Sequence, residues 1–261
     1  MITFAILATL LALIAIGVPV AVALGVTAVG FYVIQGDFGI LAMLPQRMFS
    51  ATTGFTLLAI PFFILTGQLM NSGGITRRIF ALADACVGHL RGGLGQVNVL
   101  ASLFFSGMSG AAVADAAGLG QVELKAMADK GYDPDFSAAI TAASSTIGPV
   151  FPPSIPFVLY SSMTGVSVAN LFLAGVVPGV LMAVALMVAV WLVATRQRMP
   201  RRDHIDWVGI ARGLRDSALS LGTPVIIIAG IFGGLFTPTE AGVVASAYAL
   251  FLSLVVYREI G

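Results

Sequence analysis

The residues with the clearest capacity for chemistry lie at positions 144–156, a stretch of hydroxyls, glycine and prolines between two apolar segments. An unbroken helix is barred there by four prolines that lack an amide hydrogen, Pro149, Pro152, Pro153 and Pro156. At membrane depth, a backbone opened in this way persists only where protein buries it or where it lines a polar cavity. Its free carbonyls and hydroxyls are hard oxygen ligands, so the pattern predicts a discontinuous helix with a cation site.

A second stretch, rich in small residues, runs from Gly92 to Gly120. Residues 97–105 are apolar but supply only half of the about 20 residues that a spanning helix needs. After a Ser-Gly turn, a further short segment runs to Leu124. The pattern predicts a re-entrant helical hairpin that carries small and hydroxyl residues at its tip, namely Ser106, Gly107 and Ser109.

Asp115 is the only acidic residue of this hairpin before Glu123. A carboxylate at membrane depth costs a few kcal/mol or more, so it normally faces a cavity or a partner. Two roles remain open at this point. Asp115 either caps the second arm or supports a site from behind, while the surrounding glycines and alanines serve close helix packing, ligand binding or both.

The composition indicates an all-α polytopic membrane protein. The 261 residues are 58% hydrophobic and 10% charged, with a mean hydropathy of +1.01, whereas soluble domains carry about 25% charged residues. A net charge of +1 gives no sign of nucleic-acid binding. Cys86 is the only cysteine, which excludes a disulfide framework and a thiolate metal site.

The N-terminal part, residues 1–91, is predicted to hold membrane helices and one connecting amphipathic helix. Residues 1–34 contain no charge and are too long for one straight span, so a break is expected near Gly17–Pro19. We then predict a loop over 35–46, a span over 49–70 with a kink at Pro61, and an amphipathic helix over 76–90.

The rest of the chain divides into four parts. Residues 92–163 hold the hairpin and the broken helix, separated by a mixed-charge loop over 123–135 to which we assign no chemistry. Residues 164–195 form a transmembrane helix, and the arginine-rich stretch 196–216 is predicted to be a cytoplasmic loop. Residues 217–261 contain two further apolar segments, and Glu240 is expected to cap the second of them.

Several motifs in a fixed order resemble the large membrane subunit of TRAP transporters, the tripartite ATP-independent periplasmic type. They are Leu58-Ala59-Ile60-Pro61-Phe62-Phe63, Gly67-Gln68-Leu69-Met70, Phe105-Ser106-Gly107-Met108-Ser109-Gly110 through Asp115 and Gly120, the run from Ile147 to Pro156, and Phe236-Thr237-Pro238-Thr239-Glu240-Ala241. The resemblance covers essentially the whole chain.

The resemblance implies a multi-pass bacterial inner-membrane importer of organic acids that is coupled to sodium and works as an elevator. It implies a periplasmic substrate-binding protein and a small membrane subunit as partners, an inverted-repeat plan, and no cofactor other than the coupling ion. The ion would lie between the hairpin tip and the opened segment, bound by Ser106, Gly107, Ser109, Ser144, Ser145, Thr146 and Gly148. Pro149, Pro152 and Pro153 would hold the break open, and Ser154 and Asp115 would lie along the substrate path.

This sequence departs from the family pattern in two ways. Ala111 replaces a serine that the family often has after the second Ser-Gly, so one hydroxyl near the tip is missing. The chain also resembles only the first inverted half and the beginning of the second. We expect that the sequence is truncated; a separate chain for the remainder is the other possibility.

Two other functions are compatible with parts of the pattern. One is an ion-coupled anion transporter or antiporter that has the same broken-helix plan but needs no binding protein. The other is an intramembrane serine protease, because Gly107-Met108-Ser109-Gly110 has the Gly-x-Ser-Gly form. A serine nucleophile needs a base within hydrogen-bond reach, and the two histidines, His89 and His204, lie in polar loops. We therefore predict that the protein is not an enzyme.

Overall fold

The computed structural model of the protein describes residues 2–197 and 207–259, which are helical and contain no β-strand within these ranges. The predicted all-helical class is confirmed. Four helical stretches are long and apolar enough to cross a membrane, Phe38–Ser72, Val168–Arg196, Trp207–Phe232 and Pro238–Val256. These features agree with a polytopic membrane protein.

The chain divides into two units at Gly54, and the first contains three helices. Helix α1 spans Ile2–Ala15, α2 spans Val20–Gln35 and α3 spans Phe38–Thr52. The predicted break near Gly17–Pro19 is confirmed, since Pro19 is the N-cap of α2. The predicted loop over 35–46 is wrong: Asp37 accepts a hydrogen bond from the Ile40 amide at 3.2 Å and starts α3.

The second unit begins with a 3-10 turn over Phe55–Leu58 and then α4, Ala59–Ser72. The predicted span over 49–70 lies within the stretch Phe38–Ser72, which is long and apolar enough to cross a membrane, but the predicted kink at Pro61 is wrong: the helix is interrupted earlier, at Thr53 and Gly54. Pro61 lies in the first turn of α4, where its missing amide has no helical partner to lose, and it does not kink a helix centre. Helix α5, Ile75–Val87, is amphipathic as predicted and packs its apolar side against the helices described below.

A helical hairpin follows. Helix α6 spans Leu94–Ser109, the chain turns at Gly110, and it returns as α7, Ala112–Ala117, and α8, Leu119–Asp129. The predicted mixed-charge loop over 123–135 is wrong, because α8 continues to Asp129 and the next helix starts at Pro134. Glu123 is consequently a buried residue of α8 instead of a solvated loop residue.

The predicted discontinuous helix is observed. Helix α9 spans Pro134–Ser145 and α10 spans Ile155–Thr164, and residues 146–154 between them are not helical. This opened segment includes a cis peptide bond between Pro152 and Pro153. Proline has no amide hydrogen to donate, so the segment cannot continue the helical hydrogen-bond pattern of α9.

Three long helices complete the second unit. They are α11, Val168–Arg196, α12, Trp207–Phe232, and α13, Pro238–Phe251, which continues as a π-helical turn over Leu252–Val256. Glu240 caps α13 as predicted, in a reciprocal capping box with Thr237.

The predicted loop over 196–216 is wrong from Trp207 onward, where α12 has begun. Its residues 198–206, with Arg198, Arg201, Arg202 and His204, lie outside the described residues.

The apolar core of the second unit forms two clusters. One surrounds Phe105 and Met108 of α6, and the other surrounds Phe63 of α4 and Phe172 of α11. Helix α11 also approaches the opened segment closely at Gly175, because a Cβ atom there would overlap the carbonyl oxygen of Val150 and the ring of Phe157. The opened segment is therefore held in place by α11.

We expect Gly175→Ala to destabilise the protein by about 1–3 kcal/mol, because the added methyl group would force the opened segment away from α11. Gly25→Ala is the matched control: Gly25 also lies inside a helix, nothing stands within 4 Å of its added Cβ, and the change should be neutral or stabilising by up to about 1 kcal/mol. Thermal unfolding of the two purified variants in detergent measures the difference. Equal unfolding temperatures would contradict the close approach of α11.

Candidate ion site at the hairpin tip and the opened segment

The hairpin tip and the opened segment meet. The Ile155 amide at the start of α10 donates a hydrogen bond to the carbonyl of Gly110 at 3.2 Å. Gly110 has a φ of +63°, and an added Cβ would lie 2.5 Å from the Pro153 carbonyl oxygen. A Cβ on Gly148 would lie 3.3 Å from the backbone of Ala111. The structure therefore brings together the two stretches that the sequence singled out.

The three predicted tip residues are all buried, but only one has a free hydroxyl. Ser106 Oγ donates to the Ser102 carbonyl of its own helix at 2.6 Å. Ser109 Oγ is buried and has no hydrogen-bond partner among the described residues. A Cβ on Gly107 would lie 3.2 Å from Pro224 of α12, so this glycine allows close helix packing. The Ser109 hydroxyl is the tip group that remains available to a ligand.

The four predicted residues at the end of α9 have different surroundings. Gly148 is buried against the tip, whereas Thr146 is exposed and donates to the Ala143 carbonyl at 2.6 Å. Ser144 and Ser145 are buried, and their hydroxyls bond to residues earlier in the chain. Ser144 Oγ donates to Asn98 Oδ1 at 2.6 Å, and Ser145 Oγ donates to the Thr141 carbonyl at 2.7 Å. Their role as ion ligands stays a prediction.

Ser154 ends the opened segment and is fully buried. Its hydroxyl donates to the Pro149 carbonyl and accepts from the Phe157 amide at 3.3 Å, so it is the N-cap of α10. Pro152 and Pro153 are also buried, and Pro149 is half-buried. The Ser154 hydroxyl thus links the two ends of the opened segment by bonding to Pro149 and to Phe157. The predicted position of Ser154 on a substrate path stays a prediction.

Behind the tip lies a buried polar network that was not predicted from the sequence. Asn98 Nδ2 donates to Thr141 Oγ1 at 2.7 Å, and Ser102 Oγ donates to Ser144 Oγ at 3.1 Å. These contacts link α6 to α9, the helix that leads into the opened segment. Asn98 and Ser102 are spaced by four, which places them on one face of α6 and could have indicated the network.

Two carboxyl groups border this network. Asp115 does not cap α7, whose N-cap is Ala111, so that alternative is wrong. Its buried carboxyl group lies beside Ser102 and Ser145, and Glu123 lies beside Thr141 and Asp115. Neither Asp115 oxygen nor Glu123 Oε1 accepts a hydrogen bond from the described residues. The burial of Glu123 was missed, although it shares an i, i+4 spacing with two buried apolar residues, Leu119 and Met127.

The donor set of the tip suits a monovalent cation. Within residues 2–197 and 207–259, no group of three or more His, Cys, Asp or Glu side chains could hold a metal ion. The tip and the opened segment offer neutral hydroxyl and carbonyl oxygens instead. Such oxygens replace part of the hydration shell of an alkali ion without binding it too tightly for release.

The chain is similar to known transporter subunits over almost its whole length. The family model for the tripartite ATP-independent periplasmic transporter, DctM component, matches residues 7–261. The sialic acid TRAP transporter large permease protein SiaM of Vibrio cholerae is 49% identical over 94% of this chain and 57% of its own length. The C4-dicarboxylate TRAP transporter large permease protein DctM of the same organism is 39% identical, over 94% and 54% respectively.

A third relative is the 2,3-diketo-L-gulonate TRAP transporter large permease protein YiaN of Escherichia coli, which is 42% identical over 97% of this chain and 59% of its own length. The chain thus spans about half the length of the curated relatives it matches. The family consists of transporters, so the prediction that the protein is not an enzyme is confirmed and the protease alternative is excluded. The chain belongs to the DctM family, the large permease component of the tripartite ATP-independent periplasmic transporters.

Proposed function

We propose that the chain provides part of an inner-membrane permease that imports an organic acid together with sodium. The named substrates of three relatives, sialic acid, C4-dicarboxylate and 2,3-diketo-L-gulonate, all carry a carboxylate at neutral pH. An organic anion is therefore the substrate class that the relatives support. A periplasmic binding protein would deliver it, and a small membrane subunit would complete the scaffold on which the transport helices move as an elevator.

The observation that carries the sodium site is the contact of the hairpin tip with the opened segment. The unpartnered Ser109 hydroxyl lies on one side. On the other side, the carbonyl oxygens of Thr146 and Gly148 accept no hydrogen bond from the described residues. Ser109 and Gly148 are buried, and buried oxygens without donors are costly, so a bound cation removes that cost; Thr146 is exposed and adds a carbonyl at the edge of the site. We propose that these three oxygens, with the remaining lone pairs of Ser106 Oγ, are the sodium ligands that this chain supplies.

Ser144 and Ser145 would act differently from Ser109. Because their hydroxyls bond to Asn98 and to the Thr141 carbonyl, they hold the end of α9 in position. Pro149, Pro152 and Pro153 would keep the segment after it from closing into a helix, which leaves its carbonyls turned to the ion. Ser154 would fix the start of α10, so that the substrate path passes beside a preformed helix N-terminus.

We expect Ser109→Ala to lower the apparent sodium affinity of uptake by about tenfold, since one neutral ligand in a desolvated site is worth on the order of 1.5 kcal/mol. The measurement is sodium-dependent uptake into proteoliposomes that contain the assembled transporter, with the binding protein outside. The radiolabelled acid is chosen from the substrates of the relatives. Ser162→Ala is the matched control, because its exposed hydroxyl bonds only to the Leu159 carbonyl of its own helix.

An unchanged sodium dependence in Ser109→Ala, with wild-type amounts of assembled protein, would reject the site. A larger loss of sodium affinity in Ser144→Ala than in Ser109→Ala would instead indicate that the sodium ligand is the Ser144 hydroxyl of α9. Uptake by wild type that is equal in sodium and in potassium would reject sodium coupling itself.

We further expect uptake to stop when the binding protein is omitted, because substrate delivery by a soluble partner is the property that defines the proposed transport mode. The measurement uses the same proteoliposomes and sodium gradient with and without added binding protein. Uptake at an undiminished rate without it would favour the alternative, an ion-coupled anion transporter that binds its substrate directly from solution.

A further inference from the structure

The most unusual buried groups outside the proposed sodium ligands are the carboxyls of Asp115 and Glu123. Each residue is 1% exposed, and the two carboxyls lie close enough to interact electrostatically. Three of their four oxygens accept no hydrogen bond from the described residues. Two buried like charges without donors would be strongly destabilising, so the pair needs a positive charge or a proton.

No basic side chain of the neighbouring helices provides that charge. Helices α4, α5, α6 and α9 pack against α7 and α8, and α4 and α6 contain no charged residue. The ionisable residues of α5 are Arg77, Arg78, Asp84 and Cys86, and both arginines reach Glu259. Helix α9 has only Asp135, exposed in its first turn, and its N-cap is the exposed Asp133. Lys125 and Asp129 of α8 itself are also exposed.

The hydroxyls that face Asp115 have already donated their hydrogens elsewhere. The Ser102 hydrogen is directed to Ser144 Oγ at 3.1 Å, and the Ser145 hydrogen to the Thr141 carbonyl at 2.7 Å. Each hydroxyl has a single hydrogen, so turning it to Asp115 would take it from Ser144 or from the Thr141 carbonyl. A protonated Asp115 would instead donate its own hydrogen to a serine lone pair and leave those bonds in place.

A proton fits this place better than a sodium ion. Helices α8 and α9 are packed directly against each other, since a Cβ on Gly120 would lie 2.8 Å from Thr141 Cγ2. A hard metal cation also needs several oxygens at fixed distances, whereas a proton needs one donor atom and one acceptor. We propose that Asp115 and Glu123 form a proton-binding site, buried among α6, α7, α8 and α9, that holds at least one proton at neutral pH.

The site is separate from the proposed sodium ligands, but the two share a helix connection. Ser145 lies beside Asp115, and Ser144 bonds to Ser102, which also lies beside Asp115; both serines end α9, from which the opened segment starts. Loss of the proton would place an uncompensated charge against these serines and disturb the packing of the hairpin on α9. Protonation of the pair is thus required for the hairpin to keep its position.

Infrared spectroscopy of the complete purified permease tests the inference without measuring transport. We expect wild type at pH 7 to show the C=O stretching band of a buried carboxylic acid, which shifts or weakens in Asp115→Asn and in Glu123→Gln and is absent from the double variant. Asp129→Asn, which changes an exposed carboxyl of the same helix, should keep the band. The wild-type band should disappear at alkaline pH and should be the same in sodium and in potassium.

The absence of this band in wild type at pH 7 would overturn the inference, as would a band that appears only when sodium is withdrawn, because the pair would then hold sodium. Thermal unfolding provides a second reading if one variant fails to fold. Wild type should lose stability as the pH rises from 7, because both carboxyls ionise in place, and either neutral variant should lose less. An equal loss in all proteins would contradict the proposal.

Discussion

The hydrogen bond from the Ile155 amide to the Gly110 carbonyl joins the two parts of the molecule on which the rest depends. It ties the start of α10 to the turn of the hairpin and therefore fixes the position of an opened backbone segment. A peptide segment without helical hydrogen bonds is stable inside a protein only when other groups satisfy it. Here the hairpin turn, the Ser154 side chain and helix α11 provide those contacts.

The requirement for such contacts explains the concentration of small residues around the opened segment. Gly110 needs its left-handed backbone to make the turn and leaves no room for a side chain against Pro153. Gly175 of α11 lies against Val150 from another direction. Small residues let these backbones approach closely enough to bury polar groups without water. Besides allowing close helix packing, these glycines thus help to hold the segment between α9 and α10 in its non-helical conformation.

The sequence predicted best those features that a single residue type enforces. Four prolines within eight residues cannot all fit a helix, and Gly17 precedes Pro19, so the opened segment and the break at Pro19 were predicted correctly; single prolines lie inside α3, α11 and α12. Features that depend on distant partners were missed. Ser144 points towards Asn98, which lies 46 residues earlier in the chain, and no local pattern fixes that direction. Glu123 was assigned to a loop because Lys125, Asp129 and Lys130 follow it, although Lys125 and Asp129 lie on the exposed side of α8 and Lys130 is its exposed C-cap.

The oxygens at the hairpin tip and those of the carboxyl pair differ in charge. This difference determines which cation each group could bind and release. The Ser109 hydroxyl and the opened carbonyls are neutral, so a cation can enter and leave without a strong electrostatic trap. Asp115 and Glu123 are acidic, and an ion held by two carboxylates in a dry interior would leave slowly. Coupling to a flux of ions therefore favours the neutral oxygens at the tip. The carboxyl pair is better suited to a proton that stays bound and keeps the hairpin uncharged where it packs on α9.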